Sequence, residues 1–217
     1  MKFSIGSAQV ETKIEHLVVA GWTGRDHSAV QYHIDELAEI GVAPPSTTPL
    51  FYRVSHSLLT QAGSVQVLGA ETSGEAEPLL LNRGGKLWLG LASDHTDRNL
   101  ETVSVAASKQ ACAKVCATAL WEFDLVLDHA DQLRLRSWIK EGGDWVLYQD
   151  GSLEQILPLS VLSAEIETID QSAMLCGTLP AIGGVRPATE FRAELYDPLL
   201  DQSIGLQYRS ECLDYIS

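Results

Sequence analysis

Three carboxylates in two short segments are the side chains of this sequence best suited to chemistry. Glu75 and Glu77 are separated by a single residue, and Asp94 opens the polar segment 94–98. Residues two apart in a β-strand point to the same face, so Glu75 and Glu77 would hold like charges side by side. Such a pair is unfavourable unless a cation lies between its members. The pattern therefore predicts a cation site here.

The surroundings of these carboxylates favour a metal site over the alternative, a polar face that is simply solvated. Glu77 is followed by the apolar run 78–81, and the next apolar segment, 87–92, ends just before Asp94. A hairpin of the two segments would bring the three carboxylates together. Carboxylate oxygens suit Mg²⁺, Mn²⁺ or Ca²⁺, whereas Zn²⁺ takes His or Cys ligands. We therefore predict that Glu75, Glu77 and Asp94 bind Mg²⁺ or Mn²⁺, with Ca²⁺ as a further candidate.

Strands outnumber helices among the elements that the sequence predicts. Because they are not regularly interleaved with helices, we predict a mostly β, α+β fold rather than a doubly wound sheet. Strands are predicted at 3–10, 13–20, 50–54, 64–68, 76–81, 87–92, 132–139, 145–149, 173–177, 190–196 and 204–209. Helices are predicted from an N-cap at Ser28 to a stop at Gly41, over 99–120, and over 153–166 with a kink at Pro158.

The length and charge of the chain limit its architecture and its partners. With 217 residues, 45% of them hydrophobic, it can bury one full core, and we predict a single catalytic domain over 1–217. Its first part, 1–20, is predicted to be a strand pair that leads into the core at 21–217. The 29 acidic residues outnumber the 15 basic ones, so the surface would repel nucleic acid and anionic lipid. We therefore expect no nucleic-acid or membrane partner.

The cysteines indicate the redox environment. They show neither a paired zinc-ligand spacing nor a Cys-x-x-Cys redox motif, and they are too few for a disulfide framework in a chain of this length. We predict free thiols, with Cys112 and Cys116 packed in the core, and a cytoplasmic protein. The four are Cys112, Cys116, Cys176 and Cys212.

Two further features have both a catalytic and a plain interpretation. His33 and Glu36, three residues apart on the first predicted helix, are neighbours on the flank of its apolar stripe, where side chains can face a cleft. An exposed helical pair explains the same spacing. Lys109, in the predicted helix 99–120, is likewise either a site residue or an exposed helical lysine.

Four segments, taken in order, resemble the fumarylacetoacetate hydrolase superfamily. Gly24-Arg25-Asp26 followed by His33-Ile34-Asp35-Glu36 looks like the family's Gly-Arg-Asn and His-x-x-Glu segment, whose helix is a lid over the substrate. Leu50-Phe51-Tyr52-Arg53 is similar to the strand that follows, where the family usually has Lys at the position of Arg53. Glu75-x-Glu77 and Asp94-x-Thr96-x-Arg98, with Lys109 downstream, look like its metal ligands, the arginine after them and the active-site lysine. Cys176-Gly177-Thr178-Leu179-Pro180 resembles its late Thr-Gly-Thr-Pro turn.

The resemblance implies a fold, an assembly and a set of site residues. The fold is the mixed β-sandwich roll of the family's C-terminal domain, and the assembly is a homodimer. The segments 78–93 and 95–108 are shorter than is usual in the family, which affects the pocket more than the metal site. The implied residues are Glu75, Glu77 and Asp94 for the metal, His33, Glu36 and Lys109 for catalysis, and Arg25, Arg53, Arg98 and Thr178 for the substrate.

The implied activity is metal-dependent cleavage of a carbon–carbon bond. We predict a hydrolase or lyase that acts on a small 2-oxo or 1,3-dicarbonyl acid, with His33, oriented by Glu36, activating water and Lys109 stabilising an oxyanion. An oxaloacetate-type decarboxylase and an isomerase or tautomerase are alternatives on the same scaffold. A non-catalytic small-molecule-binding module with a structural ion is a third, although such an ion would not require His33, Glu36 and Lys109.

Overall fold

Strands outnumber helices in the protein, as the sequence predicts. The computed structural model describes residues 1–39 and 43–216, without the side chains of His33 and Leu37. Its strands are β1 (Lys2–Ile5), β2 (Ala8–Glu11), β3 (His16–Gly21), β4 (Leu50–Val54), β5 (Leu59–Thr60), β6 (Ser64–Leu68), β7 (Thr72–Ser73), β8 (Ala76–Arg83), β9 (Lys86–Ser93), β10 (Thr96–Asp97), β11 (Lys114–Cys116), β12 (Trp121–Glu122), β13 (Arg134–Glu141), β14 (Asp144–Ser152), β15 (Ser172–Leu175), β16 (Glu190–Asp197) and β17 (Gln202–Leu213). Its helices are α1 (His27–Glu39), α2 (Arg98–Glu101), α3 (Val105–Ala111), α4 (Phe123–Val126) and α5 (Leu159–Leu162).

Two sheets carry most of these strands. The larger sheet has the order β4-β3-β15-β8-β9-β11-β5, and β12 also pairs with β9. The smaller sheet has the order β14-β13-β16-β17-β6. Two short antiparallel pairs, β1–β2 and β7–β10, complete the arrangement. The fold is therefore mostly β with a few short helices.

The larger sheet is buried on both faces, and β8 shows why. Leu80 points into the core that the larger sheet shares with Leu135 and Phe191 of the smaller sheet. Leu79 and Leu81 point to the opposite face, which the β1–β2 hairpin covers. An uninterrupted apolar run is the pattern of a strand with apolar surroundings on both sides. The strand that follows the first two carboxylates is thereby held firmly in the interior.

The predicted pairing of 3–10 with 13–20 is wrong. The first segment folds back on itself around Gly6, whose φ of +55° suits glycine, and forms the β1–β2 hairpin. The second segment becomes β3, which lies between β4 and β15 in the larger sheet. The physical reason is burial: Leu17 to Ala20 form a continuous apolar run that needs a partner on each side, and the mostly exposed β2 cannot supply it.

The predicted helix over 99–120 is also wrong. Ser104 accepts a hydrogen bond from the backbone N–H of Ala107 and so starts a new helix, which separates α2 from α3. After Cys112 the chain is extended, and β11 pairs with both β9 and β5. Alanine-rich composition indicates helix, but pairing in a buried sheet overrides that weak preference. The predicted helix 153–166 is likewise reduced to α5 and short 3₁₀ turns around it.

Other local predictions are confirmed. The segments 76–81 and 87–92 pair as the antiparallel hairpin β8–β9, and the segments 132–139 and 145–149 form β13–β14.

The predicted N-cap of the first helix is wrong. The cap is Asp26 rather than Ser28, because Asp26 Oδ1 accepts from the N–H groups of Ser28 and Ala29 at 2.9 and 3.2 Å. The predicted stop at Gly41 lies outside the described residues.

Two further findings concern thiols and membranes. Cys112 and Cys116 are buried, as predicted. Cys176 is also buried, and Cys212 is exposed on β17. Among the residues described, no helix combines the length and apolar character needed to cross a bilayer.

Candidate metal centre

The hairpin β8–β9 brings the three predicted metal ligands together. Glu75 directly precedes β8, Glu77 is its second residue, and Asp94 directly follows β9. The backbone N–H of Asp94 donates to the carbonyl oxygen of Glu75 at 2.9 Å, which fixes the open end of the hairpin. One carboxylate oxygen from each residue lies within 4.8 Å of the other two. The geometry is that of a three-carboxylate site.

The site is buried, so its charges are costly. Glu77 and Asp94 are 2% and 0% exposed. Burial raises the pKa of both glutamates, and the nearby Asp94 raises the pKa of Glu77 further. Glu77 Oε2 accepts one hydrogen bond from the backbone N–H of Gly177 at 2.7 Å. This carboxylate is therefore the least compensated of the three.

Two lysines compensate Asp94. Lys109 donates to Asp94 Oδ2, and Lys114 Nζ lies 2.7 Å from Asp94 Oδ1. Lys114 also donates to the carbonyl oxygen of His95 at 2.6 Å. Burial alone would raise the pKa of Asp94, but the two ammonium groups lower it below its usual range. In turn, Asp94, with both glutamates, raises the pKa of Lys109 despite burial. Lys109 thus lies at the site, and Lys114 is a neighbour that the sequence did not reveal.

Arg98 contacts the site from the side of α2. Its Nε donates to Ser73 Oγ at 2.7 Å, its Nη1 donates to Glu101 Oε2 at 2.8 Å, and its Nη2 lies 3.4 Å from Glu75 Oε1. Nε and Nη1 are thus hydrogen-bonded to protein groups, whereas Nη2 has the ion-pair contact with Glu75 and no hydrogen bond. Arg98 therefore orients a metal-site carboxylate in this structure.

The structure does not bring the other two predicted arginines to the carboxylates. Arg25 makes a bidentate pair with Asp131, with both N···O distances at 2.7 Å, and its Nε donates to the carbonyl oxygen of Ile156. Arg53 is mostly exposed on β4 and pairs with Glu165 at 2.7 Å. Arg25 still borders the central cavity, whereas Arg53 is not among its lining residues.

The turn at 177–178 holds β8 in place. Gly177 has φ of +98°, and an added Cβ would lie 1.7 Å from Thr23 Oγ1, so this position requires glycine. Thr178 Oγ1 donates to the carbonyl oxygen of Ala76 at 2.7 Å. The hydroxyl predicted to bind substrate is thus used, in this structure, to anchor the residue between Glu75 and Glu77.

Gln149 is a buried residue that sequence reasoning missed. Its Oε1 accepts from the N–H of Ala76 at 2.9 Å and from Ser137 Oγ at 2.6 Å. Its Nε2 donates to Thr178 Oγ1 and to the carbonyl oxygen of Leu179. The amide is therefore fully hydrogen-bonded, and it fixes the backbone between the two glutamates. No sequence signal marks it, because an ordinary strand residue becomes a bridge only through the packing of the two sheets.

Gln149→Met is expected to destabilise the fold and to weaken cation binding. The change keeps the length of the side chain but leaves several buried groups without hydrogen-bond partners. Each unsatisfied group lowers the free energy of unfolding by about 1–3 kcal/mol. Urea unfolding and calorimetric titration with Mn²⁺ measure the two effects. Gln110→Met, which removes one exposed contact to the N–H of Ser55, is the matched control. If the two variants had the same free energy of unfolding and the same Mn²⁺ affinity, a positioning role for Gln149 would be contradicted.

His95 is not a fourth ligand. Its Nδ1 lies 2.7 Å from the hydroxyl of Tyr208, and its Nε2 lies 2.9 Å from Thr72 Oγ1. Burial lowers the pKa of His95 to about 3, with Lys114 adding to the effect, so the ring is neutral at physiological pH. Both ring nitrogens are therefore engaged by hydroxyl groups rather than by the metal site.

The predicted catalytic pair lies on α1. The start of this helix is fixed, since the N–H of Leu157 donates to the carbonyl oxygen of Thr23 and the N–H of Arg25 donates to that of Gln155. Glu36 is exposed on α1. His33 also belongs to α1, but its side chain lies outside the described part of the structure. The role of this pair therefore stays a prediction.

A large cavity opens onto the carboxylates. Its volume is about 1050 Å³, and Glu75, Glu77, Lys109, Arg25 and Thr178 all border it. Asp94 does not border the cavity itself, but Lys109, which donates to it, does. Trp22, which has an unusual φ of +61°, forms part of the wall and donates to the hydroxyl of Tyr52 at 3.1 Å. The site is therefore accessible from a space wide enough for an organic ligand.

The residues present fit a hard divalent cation. Around one ion, ligand oxygens lie up to about 4.2 Å apart for Mg²⁺ and up to about 5.2 Å apart for Ca²⁺, from their metal–oxygen distances. The observed limit of 4.8 Å therefore needs little adjustment. An all-carboxylate set, with one member poorly compensated, is the donor chemistry that such ions take. Glu75, Glu77 and Asp94 would hold the ion.

The family of the chain follows from a comparison of its sequence with protein-family profiles. The profile described as "Protein of unknown function (DUF2848)" matches residues 20–208, which is most of the chain. The chain belongs to the DUF2848 family. No match was found among curated proteins.

Solved structures of other proteins share the fold of this DUF2848 protein. One is 2-keto-3-deoxy-D-arabinonate dehydratase complexed with magnesium and 2,5-dioxopentanoate, with 13% identity, a TM-score of 0.65, and coverage of 94% of this chain and 75% of that one. Another is 4-oxalocrotonate decarboxylase from Pseudomonas putida G7, complexed with calcium and acetate, with 15% identity, a TM-score of 0.54, and coverage of 93% and 78%. A third, Cg1458, has 12% identity, a TM-score of 0.60, and coverage of 94% and 78%.

These likenesses concern the fold. They confirm the prediction of a mostly β, α+β fold of the fumarylacetoacetate hydrolase type for this DUF2848 chain. At such low identity they do not identify its reaction.

Proposed function

We propose that this protein is a divalent-metal-dependent enzyme of the fumarylacetoacetate hydrolase superfamily, which cleaves a carbon–carbon bond in a small 2-oxo or 1,3-dicarbonyl acid. The observation that carries the proposal is the convergence of Glu75, Glu77 and Asp94 at a cavity that also contains Lys109. Two structures of the same fold add support, because one is a complex with magnesium and 2,5-dioxopentanoate and the other a complex with calcium and acetate.

The bound ion would act as a Lewis acid that stabilises the negative charge left on a carbonyl compound when a bond to carbon breaks. The side chains of the protein hold the ion and stabilise the substrate. Glu75, Glu77 and Asp94 hold the ion, and Gln149 and Gly177 keep the two glutamates in position. Lys109 borders the cavity with a charged ammonium group and stabilises an oxyanion on the substrate.

His33 and Glu36 complete the proposed machinery. His33, oriented by Glu36, takes a proton from the attacking water in the hydrolytic version of the reaction. Decarboxylation or tautomerisation needs no attacking water, so the loss of Glu36 would reduce these activities less than it would reduce hydrolysis. A purely structural ion would need neither Lys109 nor an open cavity beside it.

Metal stripping followed by readdition tests the proposed function. We expect one Mg²⁺ or Mn²⁺ per chain and a rise in melting temperature of about 5–10 °C at a hundredfold excess of the ion over its Kd. Turnover of oxaloacetate or of an acylpyruvate is expected to stop when EDTA is added and to return with the ion. A protein that binds no divalent cation and turns over none of these acids would refute the proposal.

The same assay separates the reaction types. Glu36→Ala is expected to abolish hydrolysis of an acylpyruvate, and Glu39→Ala, at an exposed acid on the same helix, is the control. If oxaloacetate alone turns over and Glu36→Ala has little effect, the enzyme is a decarboxylase. A cytoplasmic homodimer remains part of the proposal, and light scattering of the purified protein measures its mass.

A further inference from the structure

The charges around the cavity bear on the kind of acid that it accepts. Among the residues that the structure describes, the cations bordering the cavity are Arg25 and Lys109. Arg25 is bidentate to Asp131, and Lys109 lies at the carboxylates, where the proposed oxyanion forms. Neither is therefore available to an anionic group at the far end of a substrate.

Acidic groups, in contrast, are spread along the cavity. Beyond Glu75 and Glu77, its border includes Asp26, Glu154 and Glu101, the last of which is paired with Arg98. A substrate carboxylate held away from the metal would face these acids without a cationic partner. Like charges across a binding surface, and a carboxylate desolvated without compensation, both oppose binding.

The remaining wall is mostly apolar, and its apolar residues come from separate parts of the fold. Trp22 follows β3, Val30 is on α1, Val105 is on α3, and Pro180 and Val185 lie on the loop before β16. Val185 is 51% exposed, so an apolar ligand in the cavity can reach its side chain. The volume of about 1050 Å³ is at the upper end of the range for drug-sized ligands, far more than a three- or four-carbon acid needs.

We propose that the substrate is a monocarboxylate with an extended apolar tail, whose single carboxylate and neighbouring oxo group lie at the metal and whose tail lies against Trp22, Val105 and Val185. This inference rests on the proposed function and narrows it. It disfavours dicarboxylates, including oxaloacetate, as the natural substrate.

Two six-carbon acids that differ at one end provide the test. 2-Oxohexanoate ends in a methyl group and 2-oxoadipate ends in a carboxylate. Their Kd values for the Mg²⁺-loaded protein are measured by calorimetry. We expect 2-oxohexanoate to bind at least about tenfold more tightly, since the second carboxylate finds no partner. Equal affinity, a preference for 2-oxoadipate, or cation binding without binding of either acid would overturn the inference.

A pair of variants tests the cause of the preference. Val185→Lys places a cation at the cavity wall and is expected to reduce the affinity ratio severalfold, whereas Val185→Met, of similar length but neutral, is expected to keep it. A ratio that is the same in both variants would overturn the claim that missing cations set the preference. If the protein binds no divalent cation at all, the proposed function fails first, so the two failures are distinguishable.

Discussion

Glu77→Gln is expected to weaken Mg²⁺ or Mn²⁺ binding by at least about a hundredfold, which is the upper end of what loss of an outer-shell partner alone costs a metal site. The amide is nearly isosteric with the carboxyl group, and its oxygen can still accept from the N–H of Gly177. The change therefore removes one negative charge and little else. Calorimetric titration of the purified variant measures the loss.

The same substitution is expected to leave the melting temperature of the metal-free protein unchanged or slightly higher. Replacing a buried, poorly compensated charge by a neutral group of equal shape is neutral or stabilising. Glu122→Gln, at a surface pair with Lys86, is the control and should alter neither quantity. A metal-free Glu77→Gln protein that melts much earlier, with unchanged cation affinity, would mean that Glu77 serves the fold and not the ion.

Lys114→Met is expected to lower the free energy of unfolding by about 3–5 kcal/mol, because it removes one partner of a buried ion pair and leaves Lys109 as the remaining counter-ion of Asp94. Lys114 is completely buried, and it serves both Asp94 and the carbonyl oxygen of His95. For a chain of this size the loss corresponds to a fall in melting temperature of roughly 6–20 °C.

Lys140→Met is the matched control for this prediction. Lys140 pairs with Glu190 at 2.9 Å, but about a third of each side chain is exposed, and such pairs contribute about 0–1 kcal/mol. Urea unfolding of both variants gives the comparison. If Lys114→Met were no more destabilising than Lys140→Met, Lys114 would not be the counter-ion on which Asp94 depends.

The part of the site that the sequence predicts is the part made by one hairpin. Alternation, an apolar run and a glycine turn specify β8 and β9, and the register of a hairpin then places Glu75, Glu77 and Asp94 at the same end. Lys109 was located by the order of motifs rather than by its helix, since the long helix predicted around it is broken at Ser104 and ends before Cys112.

The contacts that the sequence did not reveal join segments far apart in the chain. Gln149 reaches Ala76 only because the two sheets pack face to face. The partner of Arg25 is Asp131, which nothing near Arg25 in the sequence indicates. Lys114 was assigned to a helix, where its side chain would have had no reason to meet Asp94. Charge partners of this kind depend on topology, and a single sequence gives the local periodicity but not the topology.

The distribution of the cysteines restricts where this protein can be chemically labelled. Burial raises the pKa of Cys112 to about 11 and that of Cys116 to about 12, and it raises that of Cys176 as well, so these thiols are poor nucleophiles. Cys212 is exposed near the end of β17, on the smaller sheet. A maleimide fluorophore would therefore attach at one defined place without mutagenesis, and oxidants at moderate dose would reach that sulfur before the others.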